Sequence, residues 1–332
     1  MQAIIFPQYG SPDVIQLREI AKPVPKADEI LVKVHAASAN PLDWHRLRAD
    51  PSFARLSQGL FKPKNHQLGA DVAGVVEEVG SGVTQFKPGN AVFGEIGAGS
   101  FAEYACAPGA KFYFKPDNVS FEAAAATPIV GLTAIQGMRD VGDLPRRKKV
   151  LVNGASGGIG TFAVQYAKSY DAQVTGVCST RNVDFVRSIG ADAVVDYTQQ
   201  DFIRTGQQYD LIFDTVGNRT VPDFQRALEP GGIAVVAGFT TLSHMLQLML
   251  QSALAARSDR PVKSMGTEMV KQKDLAVIAD LLASGKVVPA IDRRYPLHET
   301  AEAIRYLETK RARGKVIIAV SPERQAGQEV NP

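Results

Sequence analysis

The sequence predicts an α/β protein of two domains, a β-rich domain interrupted by a doubly wound domain with a parallel sheet. Three observations carry that prediction. A glycine-studded turn joins the apolar run at Val150 to an amphipathic stretch that ends at Tyr170. From there to Gly285 apolar runs alternate with helical stretches, which implies right-handed crossovers and parallel pairing. Residues 1–122 instead show short β-type runs between Gly and Pro turns, the texture of an antiparallel domain.

In order, Ala3–Phe6, Ile30–His35, Val72–Val79, Ala91–Phe93 and Ala102–Ala107 read as strands of the β-rich domain. At Ala123 the pattern turns Ala-rich and helical, and Gly131-Leu-Thr-Ala-Ile leads toward the next strand, Val150–Val152. Asn153-Gly-Ala-Ser-Gly-Gly-Ile-Gly160 is the turn, and Ile159, Ala163, Tyr166, Ala167 and Tyr170 are the apolar stripe of the helix that follows. Gln173–Cys178 is a second strand, and its helix turns Val183, Val186 and Ile189 inward before stopping at Gly190. Ala193–Tyr197 and Tyr209–Val216 read as buried strands, and Pro230-Gly-Gly precedes the strand Ile233–Ala237. A helix with Leu275, Ile278, Ala279 and Leu282 on one face ends the α/β pattern. Val287–Pro289, a helix over Thr300–Thr309 and a strand over Lys315–Ala319 read as a return to the first domain, giving domains 1–122 with 288–332, and 123–287.

Composition narrows the function classes. A chain of 332 residues, 45% hydrophobic and 21% charged, has the make-up of an ordinary globular protein with room for two cores. A net charge of +3 with scattered Lys and Arg gives no footprint for nucleic acid, and Arg146-Arg-Lys-Lys149 reads as a solvated loop. Two cysteines, Cys106 and Cys178, build no disulfide scaffold and fit a reducing compartment, so a cytoplasmic protein is expected. Met1–Pro7 lacks the basic start and apolar run of a secretion signal. His244–Ala256 is apolar but shorter than a bilayer span and interrupted by glutamines, so no membrane partner is expected.

The glycine turn carries the chemistry. Gly154, Gly157, Gly158 and Gly160 leave bare backbone where phosphates approach, Ser156 adds a hydroxyl, and the helix start from Gly158 and Ile159 aims N–H groups at the same point. Followed by alternating strands and helices, this is a dinucleotide site. An NAD site places an acid about 20 residues beyond the glycines. Here Ser179-Thr-Arg-Asn182 stands there, and Ser179 and Arg181 can bond a ribose 2′-phosphate, so the expected cofactor is NADPH.

Further motifs extend over nearly the whole chain: Ser38-Ala-Asn-Pro-Leu-Asp43, Leu68-Gly-Ala-Asp-Val-Ala-Gly-Val-Val-Glu-Glu-Val-Gly80, Gly99-Ser-Phe-Ala-Glu-Tyr104, Thr127-Pro-Ile-Val-Gly-Leu-Thr-Ala134 and Arg313-Gly-Lys-Val-Ile-Ile318. With the glycine turn, their order resembles the medium-chain dehydrogenase/reductase superfamily, and within it the zinc-independent quinone oxidoreductase-like members. The resemblance implies a GroES-like catalytic domain and a Rossmann domain. It sets Asn40 beside nicotinamide and substrate, Thr127 and Gly131 against the nicotinamide end, and Tyr197 near the adenosine phosphate. It adds Asn182, Val216, Gly238, Phe239 and Lys315 to the cofactor residues, Phe239 also to the substrate pocket, and a homodimer joined near Ile233–Ala237.

The departures from zinc-dependent alcohol dehydrogenases bear on mechanism. Asn40 stands where those place a cysteine, and Gly69-Ala-Asp71 where they place Gly-His-Glu. The four-cysteine lobe has no counterpart, and His35, His45, His66, His244 and His298 lie at no ligand-like spacing, so no metal is expected. Acceptors that take hydride directly then fit best: a quinone or an α,β-unsaturated carbonyl. An enoyl reductase with a dedicated metabolite, or a low-turnover NADPH-binding sensor or structural protein, are the alternatives.

Two roles are open to Asn40, a donor to the acceptor carbonyl or a helix N-cap before Pro41. Asp43 is an orienting residue, a helix-start charge or a general acid; Trp44 and Phe53 line the substrate pocket or pack in the core. No His or Tyr is marked as a proton donor, so solvent is expected to protonate the product.

Overall fold

A computed structural model describes residues 1–321 apart from 52, 54, 240, 241 and 255–257. The chain divides into two compact units: Met1–Pro128 with Arg293–Arg311 and the stretch from Val316, and Ile129–Asp292 with Ala312–Lys315.

The first unit opens with an antiparallel ribbon of β1 (Gln2–Ile5) and β2 (Gln16–Glu19). Then come β3 (Glu29–Ala39), α1 (Pro41–Arg48), a short α2 (Arg55–Gln58), β4 (Asp71–Val79), β5 (Ala91–Glu95), β6 (Tyr104–Pro108), β7 (Phe112–Phe114) and α3 (Phe121–Ala125). β3 pairs antiparallel with both β4 and β6, and the sheet continues through β5 to β7. The β-branched residues of these strands meet on one face, where Ile30, Val32, Val34, Val72, Val76, Val92 and Phe112 form a buried core. The Ala-rich stretch that was expected to begin the next domain forms α3, whose small buried residues Ala124 and Ala125 let it pack on β3 and β4. The observed division therefore falls after Pro128, a few residues beyond 122.

The second unit runs from α4 (Pro128–Ile135), continued by a π-helical turn Gln136–Val141, into β8 (Lys149–Asn153), α5 (Gly158–Lys168), β9 (Gln173–Cys178), α6 (Val183–Ser188) and β10 (Ala193–Asp196). It continues with β11 (Tyr209–Asp214), α7 (Val221–Ala227), β12 (Leu228–Val236), α8 (Leu242–Leu254), β13 (Val262–Ser264) and α9 (Gln272–Ala283). The sheet order is β10-β9-β8-β11-β12-β13 with every neighbouring pair parallel, so all carboxyl ends reach one edge and the order reverses between β8 and β11. Leu151, Ile212, Phe224, Leu228, Ala234 and Val236 fill the core on one side.

Two expectations change here. β10, read as a buried strand, is an edge strand with only β9 beside it, and three of its four residues are half-exposed. The stretch near Ile233–Ala237, expected to join two subunits, lies mostly in β12, which is flanked by β11 and β13 and has no free edge. β13 supplies the edge instead, and at three residues it left no periodic trace in the sequence. The apolar stretch at His244 forms α8, and no helix among the described residues is long and apolar enough to cross a membrane.

The last described elements are β14 (Ile291–Pro296), α10 (Thr300–Glu308) and β15 (Lys315–Ala319). β15 lies antiparallel to β3, pairing Ile317 with Ser38. Val287–Pro289, read as part of the return to the first domain, is irregular and stays with the second unit, because the Gln165 amide brackets Val288 with bonds of 2.8 Å from its N–H and 3.0 Å to its carbonyl. Both cysteines are free: Cys178 is buried and Cys106 half-buried.

Candidate functional site: a polar knot in one unit and a glycine turn in the other

In the first unit, Ser38 near the end of β3 pairs directly with Asp71 at the start of β4. That register brings three of the singled-out polar side chains together. Asp71 Oδ2 accepts from the Ser38 hydroxyl at 2.8 Å and from the Asn40 amide at 2.9 Å. The same amide also donates to the Ser38 carbonyl at 3.1 Å, so both its protons are engaged. Asn40 is the N-cap of α1, with Pro41 preset for the first helical position. Asp43, at the third position, reaches back to the Asn40 N–H at 2.8 Å and takes a second bond of 2.8 Å from the N–H of Gly69. Gly69 adopts φ +87, and a Cβ there would lie 2.4 Å from Ser100 Oγ, so only glycine lets this turn deliver its N–H to Asp43.

All four groups are buried: Ser38 and Asp71 are 0% exposed, Asn40 2% and Asp43 1%. Burial pushes the Asp43 carboxyl up to about 6, against the two backbone bonds that hold it down. Trp44 is half-buried and stacks on His45 at 3.6 Å between centroids, while Phe53 stands 53% exposed and is no core residue. Thr127 is fully buried and spends its hydroxyl on the Ala124 carbonyl at 2.8 Å.

In the second unit, the turn after β8 is built to the demands of close packing. Gly154 sits at φ +84, and a Cβ on Gly160 would fall 2.1 Å from the Gly154 carbonyl oxygen. Those two glycines serve the fold. Gly157 differs: it has an ordinary φ, and a Cβ there would meet nothing nearer than 3.5 Å. Its bareness leaves an open cradle at the N-cap of α5, where the first-turn N–H groups of Gly158 and Ile159 have no intrahelical partner. Gly131 is buried against α9, and a Cβ there would press Ile278 at 2.6 Å, which explains that glycine by packing.

The end of β9 carries the other predicted residues. Asn182 is 4% exposed and donates to Ser156 Oγ at 3.0 Å and Ser179 Oγ at 3.5 Å, tying the glycine turn to the second strand. Its amide oxygen is buried with no hydrogen-bond partner. Arg181 is exposed on the turn before α6, and Tyr197, 60% exposed, follows β10 with its N–H on the Cys178 carbonyl at 3.0 Å. No acid occupies the Ser179–Asn182 turn, as the sequence shows.

The remaining loops follow the same sheet edge. Asn153, ending β8, donates to Asp214, ending β11, at 2.7 Å; Asp214 in turn takes the N–H groups of Val216 at 3.1 Å and Gly217 at 3.0 Å. Burial raises the Asp214 carboxyl above the usual range while these donors oppose it. The two loops after β11 and β12 touch through backbone, since a Cβ on Gly238 would sit 2.3 Å from the Thr215 carbonyl oxygen. Phe239, next in line, is 37% exposed. Lys315 is 4% exposed, its stem beside Gly158. Sequence reasoning missed the Asn153–Asp214 pair and the loop after β13, where Gln136 clamps the backbone of Met269 at 2.6 and 3.0 Å. It also left Asp71 as a missing metal ligand, although it is the centre of the first unit's knot.

A parallel sheet whose strand order reverses beside a glycine turn at its carboxyl edge is the architecture in which dinucleotides are bound. Comparison with known proteins agrees. Residues 26–117 match the family described as alcohol dehydrogenase GroES-like domain, and residues 189–318 the family described as zinc-binding dehydrogenase. The chain is 34% identical to a 2-methylene-furan-3-one reductase of Solanum lycopersicum, over 97% of this chain and 80% of that one. It is 32% identical to an NADPH-dependent alkenal/one oxidoreductase of Arabidopsis thaliana, a chloroplastic protein, over 97% and 80%. Among solved structures, the quinone oxidoreductase of Coxiella burnetii superposes with a TM-score of 0.83 at 28% identity, covering 96% of this chain and 99% of that one. The chain belongs to the medium-chain dehydrogenase/reductase family, among its quinone oxidoreductase-like members, and its two units are the GroES-like and Rossmann domains of that family.

The zinc in one family description can be tested against the side chains present. Among the described residues no group of three or more His, Cys, Asp or Glu is arranged to hold a metal ion. Where a ligand set would stand, Ser38, Asn40 and Asp71 are hydrogen-bonded to one another. The donor set does not fit zinc.

Proposed function

We infer that this chain is an NADPH-dependent oxidoreductase that reduces a quinone or an α,β-unsaturated carbonyl. The observation that carries the reading is the pairing of a glycine cradle with a second strand that ends in Ser179, Arg181 and Asn182 instead of an acid. The relatives named as reductases of enones and alkenals support the acceptor class.

NADPH, when bound, supplies the hydride. The residues fit it: the open face at Gly157, the α5 N-terminus and the orphaned Asn182 amide oxygen offer a cradle, donors and an acceptor. In the proposed arrangement Ser156, Gly157, Gly158 and Ile159 hold the pyrophosphate, Ser179, Arg181 and Tyr197 the adenosine end, and Val216, Gly238 and Phe239 the nicotinamide ribose side. Lys315 adds a cation near Gly158.

The protein's part in the chemistry falls to Asn40. Its bond to the Asp71 carboxyl is 2.9 Å, while its bond to the Ser38 carbonyl is 3.1 Å. The proposed donor to the acceptor oxygen is that second proton, released from Ser38 while Asp71 holds the amide in place. Asp43 is given a positioning role in this reading, its two oxygens holding the backbone N–H groups of Asn40 and Gly69. Trp44, Phe53 and Phe239 supply apolar surface for a conjugated ring or chain. Solvent protonates the product.

The donor set supports a reaction without a metal. A homodimer is proposed through the edge strand β13, a reducing and cytoplasmic setting from the two free thiols, and neither nucleic acid nor membrane is a partner in this reading. The test is NADPH oxidation followed by absorbance with a quinone, an enone and a saturated aldehyde, repeated with NADH and with a chelator. Turnover of quinone or enone with NADPH, insensitive to chelator, is expected. Tight NADPH binding with no turnover would move the protein to a sensor or structural role.

A further inference from the structure

Residues 313–315 belong to the second unit although the strand they lead into belongs to the first. They run beside the glycine turn: Gly314 bridges Gly157 in parallel, and its N–H donates to the Ser156 carbonyl at 3.0 Å. The approach is possible only at glycine, since Gly314 has φ +89 and a Cβ would lie 2.2 Å from the Ala290 carbonyl oxygen. The backbone of the preceding residue is fixed as well, Arg313 N–H donating to Asp292 Oδ2 at 3.0 Å. From that anchor the exposed Arg313 side chain reaches the turn after β9, where its Nη2 donates to the carbonyl of Arg181 at 3.3 Å.

We propose that Arg313 is a second guanidinium of the 2′-phosphate subsite, and a determinant of NADPH over NADH. The proposal rests on the cofactor reading above and deepens it. Two arginines 132 positions apart are brought together at one turn. The same turn is tied to the glycine turn by Asn182, which holds the hydroxyls of Ser156 and Ser179 and whose buried amide oxygen lacks a donor. Asn182 stands at the N-cap of α6 but its side chain makes no cap bond and turns to the two serines instead. A ribose hydroxyl is the donor that would satisfy it. The nearby carboxylate, Asp196, is committed to Thr198 and Gln199. A dianionic phosphate would bind both guanidinium planes, and the weak 3.3 Å bond to a neutral carbonyl is the one Arg313 would exchange for it.

Arg313→Gln and Arg181→Gln are compared with the wild type by calorimetric titration with 2′,5′-ADP and 5′-AMP, probes that need no turnover. The expected result is a loss of about 10- to 100-fold in 2′,5′-ADP affinity for each variant, with 5′-AMP affinity unchanged. Arg313→Lys keeps the charge without the fork, and should lose less. Equal weakening of both probes by Arg313→Gln, or no weakening of either, overturns the assignment. Failure of the wild type to prefer 2′,5′-ADP would instead overturn the NADPH reading itself; preference retained in Arg313→Gln but lost in Arg181→Gln would remove Arg313 alone.

Discussion

The side-chain amide of Asn40 donates to the carboxylate of Asp71 at 2.9 Å, and neither residue is more than 2% exposed. A donor held this way is already oriented before any acceptor arrives. Replacing Asn40 by Ala is expected to lower kcat about 100-fold, the scale of losing one donor to a developing oxyanion. Asp71→Ala should also lower kcat, and in addition cost about 1–3 kcal/mol of stability by orphaning the donors on Ser38 and Asn40. Steady-state kinetics with urea unfolding separates the two; full activity in Asn40→Ala would remove the amide from the mechanism.

Asp43 makes stability depend on pH in an uncommon direction. Its folded-state value near 6 lies above the ordinary carboxylate value of 3.8, so in that window the folded protein keeps a proton that the unfolded chain has lost. Its contribution to stability therefore falls as pH rises from about 4 to about 6 and is level above, a swing of about 3 kcal/mol. Subtracting the urea-unfolding profile of Asp43→Asn from that of the wild type should expose this slope. A difference that rises with pH would contradict it.

The glycines of the turn should separate by function. Gly160→Ala forces a Cβ to 2.1 Å from the Gly154 carbonyl oxygen and is expected to destabilise the second unit strongly. Gly157→Ala finds room for its methyl and should melt like the wild type, yet bind NADPH at least about 10-fold more weakly because the methyl occupies the phosphate side. Fluorescence titration and thermal melting of both variants check the contrast.

Asp274, 0% exposed, accepts from Arg139 Nη2 and from Gln136 Nε2, each at 2.8 Å. Asp274→Ala would take one acceptor from each donor while Arg139 keeps Asp140 and Gln136 keeps the Met269 carbonyl, with an expected cost of about 1–3 kcal/mol. Because Gln136 also clamps the backbone of Met269, faster hydrogen exchange in residues 265–271 should accompany the loss.

What the sequence made legible follows from locality. The glycine turn, β8, β9 and the stripe of α5 are contiguous patterns whose period states their structure, and Ser179 to Asn182 are found by counting from the glycines. The Asn153–Asp214 bond joins residues 61 apart, and the Asn40–Asp71 bond residues 31 apart. Each depends on strand register, which no local pattern of polar residues encodes. β13 is too short to show alternation, and so the sheet edge was placed one strand too far inward. Gly131 was read as cofactor-facing from its motif; the packing of Ile278 of α9 against it is a contact that the motif does not encode.

The two thiols bear on how such a protein survives its own substrates. Quinones and conjugated carbonyls alkylate thiolates, and a protein turning them over meets them constantly. Burial pushes the Cys106 thiol up to about 12, with Glu29 beside it adding to the effect, and Cys178 up to about 11. Both are held toward the protonated form at neutral pH, which lowers the share of reactive thiolate that soft electrophiles meet. Self-inactivation by Michael addition is thereby slowed, and intact-mass spectra after incubation with an enone should show adducts on either cysteine forming more slowly than on a free thiol.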